Sequence, residues 1–203
     1  PPFFASMVDM LAGIEGDSVY TEFLPALKTE YAYWMKEKND LTNAHKAKAR
    51  VVRMPDGSVL NRFWDEKAKP RPESYLEDFQ LAQQADRSEE EIYRDLRAAC
   101  ESGWDFSSRW LEDGRSLTSI HTTSIIPVDL NTLLLHLEQT LSQAWKLAGN
   151  PDKSRQLAQA AEQRKKAINK YCYDADAGFF VDYNFVSGQP TGVLSLAGGY
   201  PLY

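Results

Sequence analysis

Two short segments of the chain combine residue types that suit chemistry on a sugar. In Ser102–Trp110, Asp105 lies between Trp104 and Phe106, so its carboxyl group has aromatic neighbours on both sides. Aromatic surroundings exclude water, and desolvation raises the pKa of a carboxyl group, as a general acid requires. In Arg71-Pro72-Glu73-Ser74, a planar guanidinium is available to hold hydroxyl or carboxylate groups. Together the two segments predict the site of a glycoside hydrolase.

Composition argues against several other classes of protein. The 203 residues carry a formal net charge of −6, which disfavours binding to the phosphate backbone of nucleic acids. No uncharged apolar run approaches the length of a membrane span. Cys100 and Cys172 form neither a disulfide framework nor a metal cluster, and the three histidines are scattered. We therefore expect no metal and no cofactor.

Helical periodicity dominates the elements that must position these residues. Five helices are predicted: Pro1–Gly13, Asp17–Glu37, a helix that begins at the Ser88–Glu91 capping box, Val128–Leu147, and a helix that begins at Pro151. The third of these ends at Gly103, so Asp105 falls in a loop just beyond a helix C-terminus. The first helix is expected to pack through Phe3, Phe4, Met7, Val8 and Leu11. The connection at Gly149-Asn150-Pro151 is so short that it predicts antiparallel neighbours.

Small β-hairpins interrupt the helices. Pro55-Asp56-Gly57 is a strong turn signal between Val51–Met54 and Ser58–Leu60. Gly178–Val186 alternates and is rich in aromatic residues, which predicts a pair of short strands. The fold class is thus all-α with small β-hairpins, built from antiparallel helix pairs. An α/α toroid, a two-layer bundle and an α-solenoid would all give this pattern.

The chain resembles the trehalases, the glycoside hydrolases that split α,α-trehalose into two glucose molecules. The resemblance begins at the Arg71–Ser74 and Ser102–Trp110 segments and extends from about Pro1 to Tyr183. It weakens at Ser195–Tyr200 and returns at Pro201–Tyr203. Five further segments carry it: Glu30–Met35, Leu60–Asp65, Glu91–Arg97, Thr122–Ile125 and Val128–Asn131.

The resemblance implies an (α/α)6 toroid and an inverting mechanism with an aspartate acid and a glutamate base. Asp105 resembles the general acid, and Arg71 and Glu73 resemble the pair that binds glucose hydroxyls. Pro72 shapes the backbone between them, and Gly103 resembles a position whose main-chain carbonyl touches the sugar. Inversion needs two carboxyl groups roughly 6.5–9.5 Å apart, to leave room for a water molecule. Asp105 supplies one of the two.

Other signatures of the family are not found in this sequence. An arginine-bearing signature would lie upstream of Pro1, and a tryptophan-aspartate-proline signature would lie downstream of Tyr203. The glycine-rich run that leads to the catalytic glutamate has no counterpart, since the longest run of glycines is Gly198-Gly199. Residues 1–203 are therefore expected to be one incomplete segment of a trehalase catalytic domain, inactive by itself.

Several alternatives stay open at this point. Asp105 could bond to nearby backbone amides as a turn residue, Glu73 could pair with Arg71 or Arg109, and Arg62 with Asp65 suggests a local salt bridge. The function could instead be hydrolysis of another disaccharide by an α/α toroid, or sugar binding by a non-catalytic helical module. The two segments most resemble exported bacterial forms, which favours a periplasmic protein, with the cytoplasm as the alternative compartment. The expected partner is the small substrate trehalose.

Overall fold

Consecutive helix pairs form the framework of the computed structural model, which describes residues 1–202. Within these residues the α-helices are α1 (Phe4–Glu15), α2 (Ser18–Trp34), α3 (Tyr75–Gln84), α4 (Glu89–Ser102), α5 (Val128–Leu147) and α6 (Pro151–Tyr171). Residues 16–17, 85–88 and 148–150 join them two by two. Connections this short make the two helices of each pair antiparallel neighbours. Tyr203 lies outside the described residues.

The helix α5 is the centre of the fold. It packs against α6, α2 and α1, and most of its length is buried. Its predicted bounds, Val128–Leu147, are confirmed. The larger hydrophobic core joins α1, α2, α4 and α5. A second core lies between the hairpin of residues 51–61, the start of α5 and the end of α6.

The helix α4 begins and ends as its sequence predicts. The Ser88 side chain accepts a hydrogen bond from the Glu91 amide, and the Glu91 carboxylate accepts one from the Ser88 amide. At the other end, Gly103 has φ +76°, a left-handed conformation that costs other residues more than glycine. This cap turns the chain away from the helix axis two residues before Asp105.

The first helix packs through smaller residues than predicted. Ala5, Val8 and Ala12 are its buried positions, whereas Met7 is 62% exposed. Small side chains allow close approach to α2 and α5. Phe4 and Leu11 pack against the same core and are half-buried, so the prediction is confirmed for them and for Val8. The expectation that Phe3 and Met7 lie on the packing face is therefore wrong.

Short antiparallel strands connect the helices. They are β1 (Ala47–Lys48), β2 (Val51–Arg53), β3 (Val59–Asn61), β4 (Ile125–Ile126), β5 (Tyr173–Asp174), β6 (Phe179–Phe180), β7 (Tyr183–Asn184) and β8 (Gln189–Pro190). The β2–β3 hairpin is confirmed, with Val52 opposite Leu60. The three sheets have the orders β1-β2-β3, β4-β7-β8 and β5-β6.

One sequence prediction is confirmed only in part in these connections, and one helix has no sequence prediction. Gly178–Val186 contains two short strands, β6 and β7, but β6 pairs with β5, and β7 pairs with β4 and β8. No sequence pattern predicts α3. Its buried positions are Asp78 and Ala82, while Tyr75 and Leu76 are about 60% exposed. Such a helix has no apolar stripe for a sequence reading to detect.

Candidate active site

The segment Arg71–Ser74 joins the hairpin region to α3, and Arg71 is held firmly in it. The Asp78 carboxylate accepts hydrogen bonds from Arg71 Nε at 3.0 Å and from Nη2 at 2.6 Å. It also accepts one from the Arg71 backbone amide at 2.8 Å. The hydrogen bonds to Asp78 raise the pKa of Arg71 above its usual range. The alternative in which Arg71 pairs with Glu73 is not what the structure shows.

The loop that follows α4 meets Arg71 at two points. Arg71 Nη1 donates to Cys100 Sγ at 3.2 Å, on the last turn of α4. The Arg71 guanidinium carbon lies 4.9 Å from the centre of the Phe106 ring. A cation this close to an aromatic face is attracted by it. Arg71 and the loop around Asp105 are therefore neighbours in space.

The Cys100 thiol shows that three of the predicted site residues share one environment. Burial raises the pKa of this thiol, and the charges of Asp105 and Glu73 raise it further, while Arg71 opposes them. Of these groups, Arg71 contacts the sulfur atom directly. Arg71 and the loop that carries Asp105, 34 positions later in the sequence, therefore meet at the end of α4.

Four of the predicted site residues are exposed to solvent: Glu73, Asp105, Gly103 and Pro72. Pro72 is the first residue of a short 3₁₀ helix over Pro72–Ser74. Trp104 and Phe106 are half-buried on either side of Asp105. The exposed groups can therefore reach a ligand, and the aromatic side chains beside them anchor the loop to the core.

Arg109, four residues after Asp105, has a different environment. Its guanidinium is fully buried and donates to Asp182 at 2.7 and 2.8 Å and to Asp129 at 2.9 and 3.0 Å. Burial and the charge of Asp129 raise the pKa of Asp182, and Arg109 opposes that shift. Arg109 thus fixes the end of the loop to α5 and to the residue before β7, and the alternative of an ion pair with Glu73 is wrong.

Arg62 and Asp65 do not form the predicted local salt bridge. Arg62 donates to the backbone carbonyls of Ala49 and Thr123, and burial lowers the pKa of Arg62 to about 10. Asp65 pairs instead with Arg97 of α4, at 3.0 Å. The neighbouring Trp64 ring lies under the guanidinium of Arg62, 4.2 Å from its centre. These residues stabilise the segment that leads to Arg71.

Two glutamates of the helices are fully engaged by other groups. Glu101 accepts hydrogen bonds from Arg50, Tyr33 and the Trp64 amide. Glu138 lies in the core, where Arg164 of α6 donates to it at 2.9 and 3.1 Å. Carboxylates with this many partners are poor candidates for activating a water molecule.

Sequence reasoning missed Asp78 and Cys100 as partners of Arg71. Cys100 is half-buried beside the site, whereas Cys172 is buried. No sequence signal links Arg71 to Asp78 except their spacing of seven residues across an unpredicted helix. The contact between Asp78 and Arg71 becomes evident only when the position of α3 is known.

The arrangement places a carboxyl group and a fixed cation at an open surface. The exclusion of water from Asp105 that its aromatic neighbours predict is not found, because its side chain is exposed. A carboxyl group there can give a proton to a ligand atom that it contacts, and a restrained guanidinium can hold hydroxyl groups. No group of histidine, cysteine and acidic side chains suited to a metal ion occurs within residues 1–202. Likewise, none of the helices described for these residues is both long and apolar enough to cross a bilayer.

Sequence comparisons assign the chain to a family. The profile of the trehalase family matches residues 1–203. The chain is 49% identical to the periplasmic trehalase of Xanthomonas campestris pv. campestris (strain B100) and 47% identical to that of Citrobacter koseri (strain ATCC BAA-895 / CDC 4225-83 / SGSC4696). In each case all of this chain is covered, with 35% and 36% of the relative. The chain therefore spans about a third of the length of these relatives.

Structural comparison gives the same fold at lower identity. Neutral trehalase from Saccharomyces cerevisiae aligns with a TM-score of 0.68 and 21% identity, over 100% of this chain and 40% of the yeast chain. A mannosylglycerate hydrolase from Thermus thermophilus aligns with a TM-score of 0.54 and 14% identity, over 100% of this chain and 49% of that chain. The helix pairs are thus part of an α/α toroid, and the chain belongs to the trehalase family.

Proposed function

We propose that residues 1–203 are one incomplete segment of the catalytic domain of a longer enzyme that hydrolyses α,α-trehalose to two molecules of glucose. The match to the trehalase family over all 203 residues supports this proposal. So does the coverage of relatives, of which the chain spans only 35–36%. Apolar side chains left in solvent, such as Met10 at 74% and Ile14 at 83% exposure, are consistent with further helices that pack on this layer.

Asp105 is the general acid in this proposal, and its placement is the observation that carries it. Its exposed carboxyl group lies on the loop beyond α4, flanked by aromatic side chains and near the restrained guanidinium of Arg71. A carboxyl group in such a position can protonate the glycosidic oxygen while the bond to the departing glucose breaks.

Four further residues bind the substrate. Arg71 and Glu73 hold glucose hydroxyls, and Pro72 fixes the backbone between them at the start of its short 3₁₀ helix. Gly103 presents its main-chain carbonyl at the left-handed cap of α4. None of these roles needs a metal or a cofactor, because proton transfer and water attack complete the hydrolysis.

The general base comes from outside this chain. The engagement of Glu101 with Arg50 and of Glu138 with Arg164 supports this assignment, since neither carboxylate is available to a water molecule. The full-length enzyme therefore brings a glutamate to the opposite face of the sugar ring, and residues 1–203 alone are inactive.

The compartment follows from the relatives. Those from Xanthomonas campestris and Citrobacter koseri are named periplasmic trehalases, at 49% and 47% identity over all of this chain. The full-length protein is accordingly placed in the periplasm.

The stereochemistry of the products tests the proposal. Inversion at one anomeric carbon of α,α-trehalose gives one β-glucose and leaves the other glucose as α. Proton NMR during the first minutes of hydrolysis by the full-length enzyme should therefore show equal amounts of both anomers. Only α-glucose would indicate retention and contradict the mechanism. Faster hydrolysis of maltose or sucrose than of trehalose would contradict the substrate assignment.

A further inference from the structure

We infer that Asp78, with Cys100 as a weaker partner, is the positioning residue that holds the Arg71 guanidinium in the orientation that binds substrate. The inference rests on the proposed function, because it assigns a role toward the sugar that Arg71 holds. Asp78 itself is 1% exposed and acts through Arg71.

The hydrogen bonds of Arg71 leave a defined part of its guanidinium free. Of its five N–H donors, one on Nε, one on Nη2 and one on Nη1 are used by Asp78 and Cys100. Two N–H groups remain, one on each terminal nitrogen. These two N–H groups are the donors that remain available to hydroxyl groups of a sugar.

The Phe106 side chain also restricts the Arg71 guanidinium. The Phe106 ring lies 4.9 Å from the guanidinium carbon, so one face of the plane is covered. Phe106 follows Asp105 in the same loop. The orientation of Arg71 is thus fixed by α3 through Asp78, by α4 through Cys100, and by the loop that carries the proposed acid.

The anchor is strong because Asp78 is buried. A charge-assisted, bidentate hydrogen bond between arginine and a carboxylate is about twice as strong as a neutral one. Asp78 also accepts from the Arg71 backbone amide, so it fixes both the main chain and the side chain of this residue. Without the carboxylate, Arg71 keeps its charge and loses its geometry.

A double-mutant cycle in the full-length enzyme tests this inference. Asp78→Asn should raise KM for trehalose by roughly tenfold to a hundredfold, since small misplacement of a binding group is costly. In an Arg71→Ala background the same change should have no further effect, because Asp78 acts through Arg71. Glu77→Gln removes the same charge from the exposed neighbour on α3 and should leave KM unchanged.

Other results would overturn the inference. Asp78→Asn with normal KM, or effects of the two substitutions that multiply in the double variant, would show that Asp78 has only a structural role. If Asp78→Asn does not fold, Cys100→Ala is the milder variant. It should raise KM roughly twofold to fivefold, again only when Arg71 is present. A silent Cys100→Ala would then contradict the inference.

A crystal structure of the Asp78→Asn enzyme separates this inference from the proposed function. If the enzyme hydrolyses some other sugar, the function fails, but the guanidinium of Arg71 should still be displaced. An unchanged guanidinium would overturn the inference whatever the substrate is.

Discussion

The two halves of the segment Ser102–Trp110 are adjacent in sequence and opposite in environment. In the first half, Gly103 and Asp105 are exposed just beyond the end of α4. In the second half, Arg109 and Trp110 are buried, and both side chains are no more than 1% exposed. The comparison shows that a single segment can contain both an anchor and a working surface.

The difference follows from how each charge is satisfied. The Arg109 guanidinium has two buried carboxylates as partners, Asp129 and Asp182, which offset the cost of its burial. Asp105 stays at the surface, where water solvates it until a ligand arrives. The buried half fixes the loop on α5, and the exposed half keeps its freedom to meet substrate.

The largest expected effect comes from the exposed half. Asp105→Asn in the full-length enzyme should lower kcat for trehalose by roughly 10²–10⁴-fold, because the amide cannot donate a proton to the leaving oxygen. Its thermal midpoint should stay near that of the parent, since Asp105 is exposed. Asp113→Asn, at another exposed aspartate, is the control and should keep full activity. A stable, fully active Asp105→Asn enzyme would contradict the claim that the exposed half of the segment carries out the chemistry.

The buried half should affect stability first. Arg109→Met should lower the free energy of unfolding by about 3–5 kcal/mol, because two buried carboxylates lose their partner. Urea unfolding followed by tryptophan fluorescence measures the change. Arg115→Met, at an exposed arginine of the same region, should change stability by less than about 0.5 kcal/mol. Equal effects of the two substitutions would show that Arg109 is not an anchor.

The cap between α4 and the loop should give a smaller effect. Gly103→Ala should cost about 1–2 kcal/mol, since alanine is strained at φ +76° while its Cβ would meet open space. Gly13→Ala within α1 also meets open space, and it should stabilise by about 0.5–1 kcal/mol. Thermal unfolding of both variants tests the sign. A stabilising Gly103→Ala would contradict the left-handed cap.

The smallest expected effect is a change in how folding stability depends on pH, at His121 next to the buried half. Burial lowers the pKa of His121 below 6.5, and the His121 amide bonds to the Trp110 carbonyl. Below pH 6.5, His121 therefore takes up a proton more readily in the unfolded chain than in the folded one. This favours the unfolded chain, so the free energy of unfolding that His121 contributes above pH 6.5 is lost as the pH falls. His121→Gln should flatten this decline in urea unfolding between pH 7 and pH 5. An unchanged slope would mean that His121 does not contribute.

Sequence patterns predicted the helices that have a clear apolar stripe or cap. The helix predicted at about Val128–Leu147 is α5, and the Ser88–Glu91 capping box and Gly103 indicate the two ends of α4. The β2–β3 hairpin followed from its turn residues. These signals are local, so one sequence contains them in full.

Long-range partners were beyond the reach of such patterns. The strand β6 pairs with β5, and β7 pairs with β4. Which strand becomes the partner of which depends on tertiary packing. The spacing of Arg62 and Asp65 suggests a salt bridge between them. In the structure Arg62 donates to backbone carbonyls and Asp65 pairs with Arg97. The residues of the candidate site came from the family resemblance, and the anchors Asp78, Asp129 and Asp182 emerged only with the structure.

The most direct measurement compares two substrates of the full-length Asp105→Asn enzyme. Fluoride leaves α-D-glucosyl fluoride without needing a proton, whereas the glucose of trehalose departs only when its oxygen is protonated. If Asp105 is the acid, kcat/KM for trehalose should fall by roughly 10²–10⁴-fold, while that for the fluoride stays within about tenfold of the parent enzyme. Equal losses on both substrates would show that Asp105 is not the proton donor.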